Sequence, residues 1–254
     1  MFNSFLKGQE EARASGLEVL HVLGAEDVRR ALRDECDFGA LISIEGGEAL
    51  CGCLGALEAF WRFGVRAMGL VWNHRNELAD GVADGASGGG LTPFGKEVVR
   101  AMEAMGMAVD VSHLSDAGFW DVSRISRRPF YASHSNARAL CDHPRNLTDD
   151  QIRAVADSGG VIGVNFYASF LHASGRAGIE DVIEHIEYLA DRAGIDHVAL
   201  GSDFDGIDRA PEGLEDVSKM PALAEALRTR GWEERDVRAV LGENLARFLT
   251  QVLL

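Results

Sequence analysis

Six short apolar runs of strand-favouring character recur along the chain: ALISI (40–44), VRAMGLVW (65–72), MAVDVS (107–112), PFYAS (129–133), GVIGVNF (160–166) and HVALGS (197–202). Longer amphipathic stretches separate them, among them FGKEVVRAMEAMG (94–106), DAGFWDVSRIS (116–126), TDDQIRAVADSG (148–159) and EDVIEHIEYLADRAG (180–194). Several of these open on Ser, Thr or Asp in a capping position and end at Gly, as helices do. Strands that alternate with helices throughout predict an α/β fold with a parallel sheet or barrel. No internal repeat or Pro/Ser-rich linker divides the chain, so residues 1–254 are predicted as a single domain. ADGVADGASGGG (79–90) is the loosest segment; its glycines and small residues predict a loop without regular structure.

The strand ends carry the chemistry. ALISI is followed by Glu45, MAVDVS by His113, PFYAS by His134 and HVALGS by Asp203, so four of six runs finish on a residue that can bind a metal or move a proton. In a parallel α/β barrel the C-terminal strand ends converge on one mouth, where such enzymes do their chemistry. The 21-residue interval from His113 to His134 is about one βα unit, which places the two imidazoles on adjacent staves. Taken singly, each residue has an ordinary explanation: a hydrogen-bonded histidine, a helix-capping glutamate, a turn aspartate. Those explanations do not account for a shared position on the strand. Imidazole and carboxylate donors without cysteine suit Zn²⁺ or a similar divalent ion that lowers the pKa of a bound water. A free aspartate nearby can accept the water's proton and pass it to a leaving amine, which completes a hydrolase's equipment.

Composition narrows the partners. A chain of 254 residues with 46% hydrophobic content can bury a sizeable core. A net charge of −15 argues against nucleic acid and against an anionic membrane surface, both of which need a basic face. No apolar run approaches the roughly 20 residues that span a bilayer, and the opening MFNSFLKGQEEARASG is too polar for a signal peptide, so a cytoplasmic location is expected. Cys36, Cys51, Cys53 and Cys141 form no CxxC pair and are expected as small buried thiols kept reduced, with a C-x-C metal site at Cys51 and Cys53 as the weaker alternative.

Ordered motifs over essentially the whole chain resemble the membrane (renal-type) dipeptidases, binuclear zinc peptidases on a metal-dependent amidohydrolase barrel. They are IEGGEAL (44–50), VDVSH (109–113), ASHSNAR (132–138), HPRNLTDDQI (143–152), GVNFY (163–167), DHVALGSDFDG (196–206) and PEGLEDVSK (211–219). The resemblance implies a TIM-type (β/α)8 barrel, a dipeptide substrate and two zinc ions. By matching position it implies that Glu45 bridges the zincs, that His113 and His134 ligate the second, that Asp203 shuttles the proton and that Arg145 binds the substrate's terminal carboxylate. The relatives' tendency to dimerise makes a homodimer a further expectation.

Two departures accompany the resemblance. Where the family signature ends on a histidine that orients the substrate, this chain has Trp72, with His74 two residues later as a candidate substitute. The H-x-D pair that binds the other zinc in the family occurs nowhere in the sequence. By motif alignment the first strands have no counterpart, so an incomplete barrel of about six βα units is expected, either as a fragment or with its edges otherwise covered. Two alternatives to a zinc dipeptidase therefore stand: an impaired or non-catalytic homologue holding one metal, and an amidohydrolase acting on N-acyl amino acids or lactones.

Overall fold

The computed structural model describes residues 2–254. A first helix, α1 (Phe2–Ala14), leads into β1 (Val19–His21), α2 (Ala25–Leu32) and β2 (Phe38–Ala40), and β1 and β2 pair in parallel as a sheet of their own. The main sheet then follows in chain order: β3 (Ile42–Glu45), β4 (Val65–Gly69), β5 (Ala108–Asp110), β6 (Ile162–Val164) and β7 (Val198–Leu200). Between β5 and β6 the PFYAS stave contributes single parallel bridges, Asp110 to Tyr131 and Ala132 to Ile162, which join the three-stranded and two-stranded pieces. The six predicted runs thus become six parallel staves in sequential order.

Helices α3 (Leu54–Arg62), α4 (Pro93–Met105), α5 (Asp116–Ile125) and α6 (Asp149–Asp157) cover the outer face of the first staves. They begin where the capping residues indicate: Thr92, Ser115 and Thr148 each accept a backbone N–H from the first turn, and Thr148 with Gln151 forms a full capping box. After them come α7 (Ala168–Leu171), α8 (Ile179–Ala193), α9 (Met220–Thr229), α10 (Glu234–Arg238) and, beyond a π-helical stretch over Ala239–Glu243, α11 (Asn244–Val252).

Side chains alternate across the staves. Met68, Val109, Ala132, Ile162 and Val198 point outward into the main core under the helices. Ala67, Ala108, Tyr131, Val161 and Ala199 point inward and pack with Phe248 and Val252 of α11. Small inward residues leave room on the concave face, and α11 fills it at the end where the strands begin. Tyr131 and Phe248 stack with centroids 4.9 Å apart. Arg128 Nη2 donates to the Gln251 carbonyl at 2.9 Å, and Arg247 bonds the Asp196 carbonyl.

Among the described residues the staves form short parallel sheets that do not close into a barrel; Asn244 Nδ2 donates to the Ile195 and Val198 carbonyls, at 2.8 Å each, where β7 meets the C-terminal segment. Two expectations are corrected. Strand β1 was not anticipated, although LEVLHVL (17–23) has strand character, and it shows that sheet structure does precede the Glu45 stave. The segment 79–90 is also firmer than its composition predicts: Val82–Ser87 is 3₁₀-helical, and Ala79 and Gly81 bridge to Leu91 and Leu114. Its anchor is Asp80, 4% exposed, which pairs with Arg75 and accepts from the Ser87 hydroxyl.

The cysteines are all free, but only Cys141 is buried; Cys51 sits in a left-handed turn, Cys53 precedes α3, and both are exposed. No helix among the described residues is long and apolar enough to cross a membrane.

Candidate metal centre

Glu45 closes β3, in register with Gly69 of β4. The glycines after it are needed for the exit: Gly46 adopts φ +97°, and a Cβ on Gly47 would stand 2.8 Å from the Leu70 carbonyl oxygen. His113 follows β5 in the left-handed region at φ +68°, which costs about 1 kcal/mol or more for a residue with a Cβ and turns its ring back over the strand ends. His134 follows the Tyr131–Ala132 stave. The three side chains meet: His113 Nε2 lies 2.8 Å and His134 Nε2 3.2 Å from Glu45 Oε1, and the two ring nitrogens are 2.9 Å apart.

The outer nitrogens settle the tautomers. Asn73 Oδ1, which can only accept, lies 2.8 Å from His113 Nδ1, so that nitrogen carries the proton. Ser133 donates its hydroxyl to Asp110 Oδ2 and therefore accepts from His134 Nδ1, 2.6 Å away. Asp110 is itself fixed by the Ser112 and Ser133 amides at 2.9 Å. Both Nε2 lone pairs are consequently turned inward beside a carboxylate oxygen, an arrangement of mutually repelling donors that a cation resolves. Among the described residues this is the one group of three or more candidate donors gathered within 4.8 Å, and Cys51 and Cys53 take no part in it. Two imidazoles and a carboxylate, with outer partners orienting both rings, fit a divalent ion such as zinc.

Electrostatics agree with the geometry. Burial lowers the pKa of His113, favouring the neutral ligating form.

Glu45 and His113 open into a cavity of about 610 Å³ that Trp72, Asn73, His74, Arg145, Tyr167, Phe170 and Asp203 also line, with His134 buried behind them. Asp203 adopts φ +62°, and its Oδ2 accepts from Asn165 Nδ2 at 3.0 Å. Arg145 is 5% exposed, donates Nη2 to the His134 carbonyl at 3.3 Å and sits over the Phe170 ring at 5.5 Å. Its Nε is buried without a partner, no carboxylate among the described residues pairs with it, and burial pushes its pKa down to about 10. His74 stands at the rim, its side chain 76% exposed and Nδ1 3.6 Å from Asp84 Oδ2. Asn73, its neighbour, is the residue that reaches the donor trio, through His113. Sequence reasoning passed over Asn73, Asp110, Ser133 and Asn165, although VDVSH, ASHSNAR and GVNFY contain three of them.

Comparison with known proteins agrees with the geometry. A profile of the membrane dipeptidase family, peptidase family M19, matches residues 10–253. A protein of Klebsiella pneumoniae encoded in the region 5′ of pqqA, itself uncharacterised, is 41% identical over 239 residues, 91% of this chain and 88% of the relative. A metallo peptidase from Rhodobacter sphaeroides, solved with a phosphinate mimic of the dipeptide L-Ala-D-Ala, is 35% identical with a TM-score of 0.88; the match covers 98% of this chain and 73% of that one. The solved structure of the dipeptidase AC, of family M19, is 36% identical with a TM-score of 0.87, over 95% of this chain and 73% of the other. With a donor trio at the strand ends and a profile match over nearly its full length, the chain belongs to the membrane dipeptidase family M19, a family of metallopeptidases.

Proposed function

We propose that this chain is a zinc-dependent dipeptidase, with Glu45, His113 and His134 holding the metal. The observation that carries this reading is a convergent donor trio, two of whose members line one cavity with a buried arginine that no carboxylate pairs. Zinc at such a site supplies a Lewis acid for the peptide carbonyl and a water of lowered pKa. The chain's residues supply the rest. Arg145 presents a desolvated guanidinium whose fork matches a carboxylate, and a peptide's C-terminus would satisfy the nitrogen left without a partner. Asp203, steadied by Asn165, takes a proton on its carboxylate and returns it to the leaving amine nitrogen. His74 at the rim adds a contact to the outer part of the substrate.

Dialysis against a chelator followed by Zn²⁺ restoration, assayed on L-Xaa-L-Xaa and L-Xaa-D-Xaa dipeptides, is expected to abolish and restore turnover. Metal-independent turnover, or none, refutes the reading. Arg145→Ala is expected to raise KM roughly 10- to 100-fold for dipeptides, the worth of a buried charge-assisted pair, with little effect on a C-terminally amidated analogue. Equal effects on both would remove Arg145 from carboxylate binding.

A second reading, a chain that holds one metal and turns over weakly or not at all, draws on the absent H-x-D and the single donor trio. One zinc per chain without dipeptide turnover favours it; two with turnover exclude it.

A further inference from the structure

Trp72 stands in the cavity with its side chain open to it, 51% exposed, and with its ring centroid 5.9 Å from that of His113 at an interplanar angle of 32°. The backbone that carries it is locked. Asn73 Oδ1 holds the His113 ring, the Asn73 carbonyl accepts from Ala83 N at 2.9 Å, and a Cβ on Gly81 would come within 2.3 Å of the Asn73 carbonyl oxygen and 2.8 Å of Trp72's. A large apolar plane on a fixed strap beside a reaction centre is a preformed platform for a substrate side chain.

Its position relative to the other groups gives the platform a direction. Trp72 neighbours His113, the His113 and His134 rings lie 4.9 Å apart, and Arg145 is bonded to the His134 carbonyl. Trp72 and Arg145 thus stand at the two ends of this run of contacts, and both line the cavity. A dipeptide with its carboxylate on Arg145 and its peptide carbonyl at the donor trio extends its N-terminal residue toward Trp72. We infer that Trp72 is a specificity-determining residue that selects dipeptides with an aromatic or large apolar side chain N-terminal to the scissile bond. The inference rests on the dipeptidase reading and adds to it the substrate class and its orientation.

The test compares kcat/KM for Phe-Ala, Ala-Phe and Ala-Ala in the zinc-loaded protein, wild type against Trp72→Ala and Trp72→Phe. Ratios are used because they cancel general damage to the site. The wild type is expected to favour Phe-Ala over Ala-Ala by about tenfold, the scale of discrimination available to one apolar contact surface. Trp72→Ala is expected to remove that advantage, Trp72→Phe to keep most of it, and neither to change the ratio of Ala-Phe to Ala-Ala. A Phe-Ala advantage that survives in Trp72→Ala, or a loss confined to Ala-Phe, overturns the inference while leaving the dipeptidase reading in place. No turnover of any of the three by the wild type overturns both.

Discussion

Along β5 the inward-facing residues change from Ala108 to Asp110 in a single step of the pleat, and the two ends of the sheet differ in the same way. Where the strands begin, Ala67, Ala108, Tyr131 and Val161 close on Phe248 and Val252 of α11, and contact is almost wholly apolar. Where they end, the buried groups are Asp110, Ser112, His113, His134, Arg145 and Asn165, joined by hydrogen bonds, with His113 and Asp203 both at positive φ. One end gains free energy from burial; the other spends some of it to hold polar and strained groups in fixed places. Stability and chemistry are thus assigned to opposite ends of the same six staves, as in closed α/β barrels.

That division can be broken experimentally. Phe248→Ala should cost about 3–5 kcal/mol of folding free energy, read by urea denaturation, because it empties the middle of the apolar plug. Zinc affinity of the folded fraction should be nearly unchanged; a parallel collapse would show that the two ends are not separable. Ser133→Ala should do the reverse. It frees the outer nitrogen of His134 and is expected to weaken zinc binding about 10- to 100-fold in competition with a chromophoric chelator, with a stability loss of only about 1 kcal/mol. A larger effect on stability than on metal affinity would make the Asp110–Ser133 pair structural.

The smallest effect concerns acid. His185, 1% exposed, accepts from Ala137 N at 3.1 Å and donates to the Leu171 carbonyl at 3.0 Å, tying the loop at Ala137 to the end of α7. Burial lowers its pKa, so the folded chain keeps it neutral while the unfolded chain takes up a proton near pH 6.5. The unfolded state then binds more protons, and stability falls as pH drops below about 6.5 toward the lowered value. His113 contributes with the same sign, so the measurement is the difference in slope. His185→Gln should reduce the pH dependence between about 6.5 and 5 by at most about 1.4 kcal/mol per unit. An unchanged slope would remove His185 from the acid response.

Much of this was legible from local pattern. Capping residues and apolar periodicity located α4, α5, α6 and α8 to within a residue or two, and the strand-end comparison selected Glu45, His113 and His134, which the fold brings into contact. The 79–90 segment was misjudged because glycine content reports what a chain could do alone; a buried Asp80 with an arginine and a serine on it outweighs that freedom. His74 drew attention over Asn73 as a substitute for the histidine of the family signature, yet Asn73 reaches a ring 40 residues away, a proximity that no local pattern encodes.

By itself, then, the order of residues determined the alternation of strand and helix, the helix boundaries and the identity of the candidate donor side chains, since each depends on propensity, capping or a position repeated from strand to strand. Only the tertiary structure decided which nitrogen of each histidine faces inward, that Arg145 is left without a carboxylate, that Trp72 borders His113, and that α11 rather than closing strands fills the concave face. Those outcomes depend on distances between residues far apart in the chain, and such distances are set by packing.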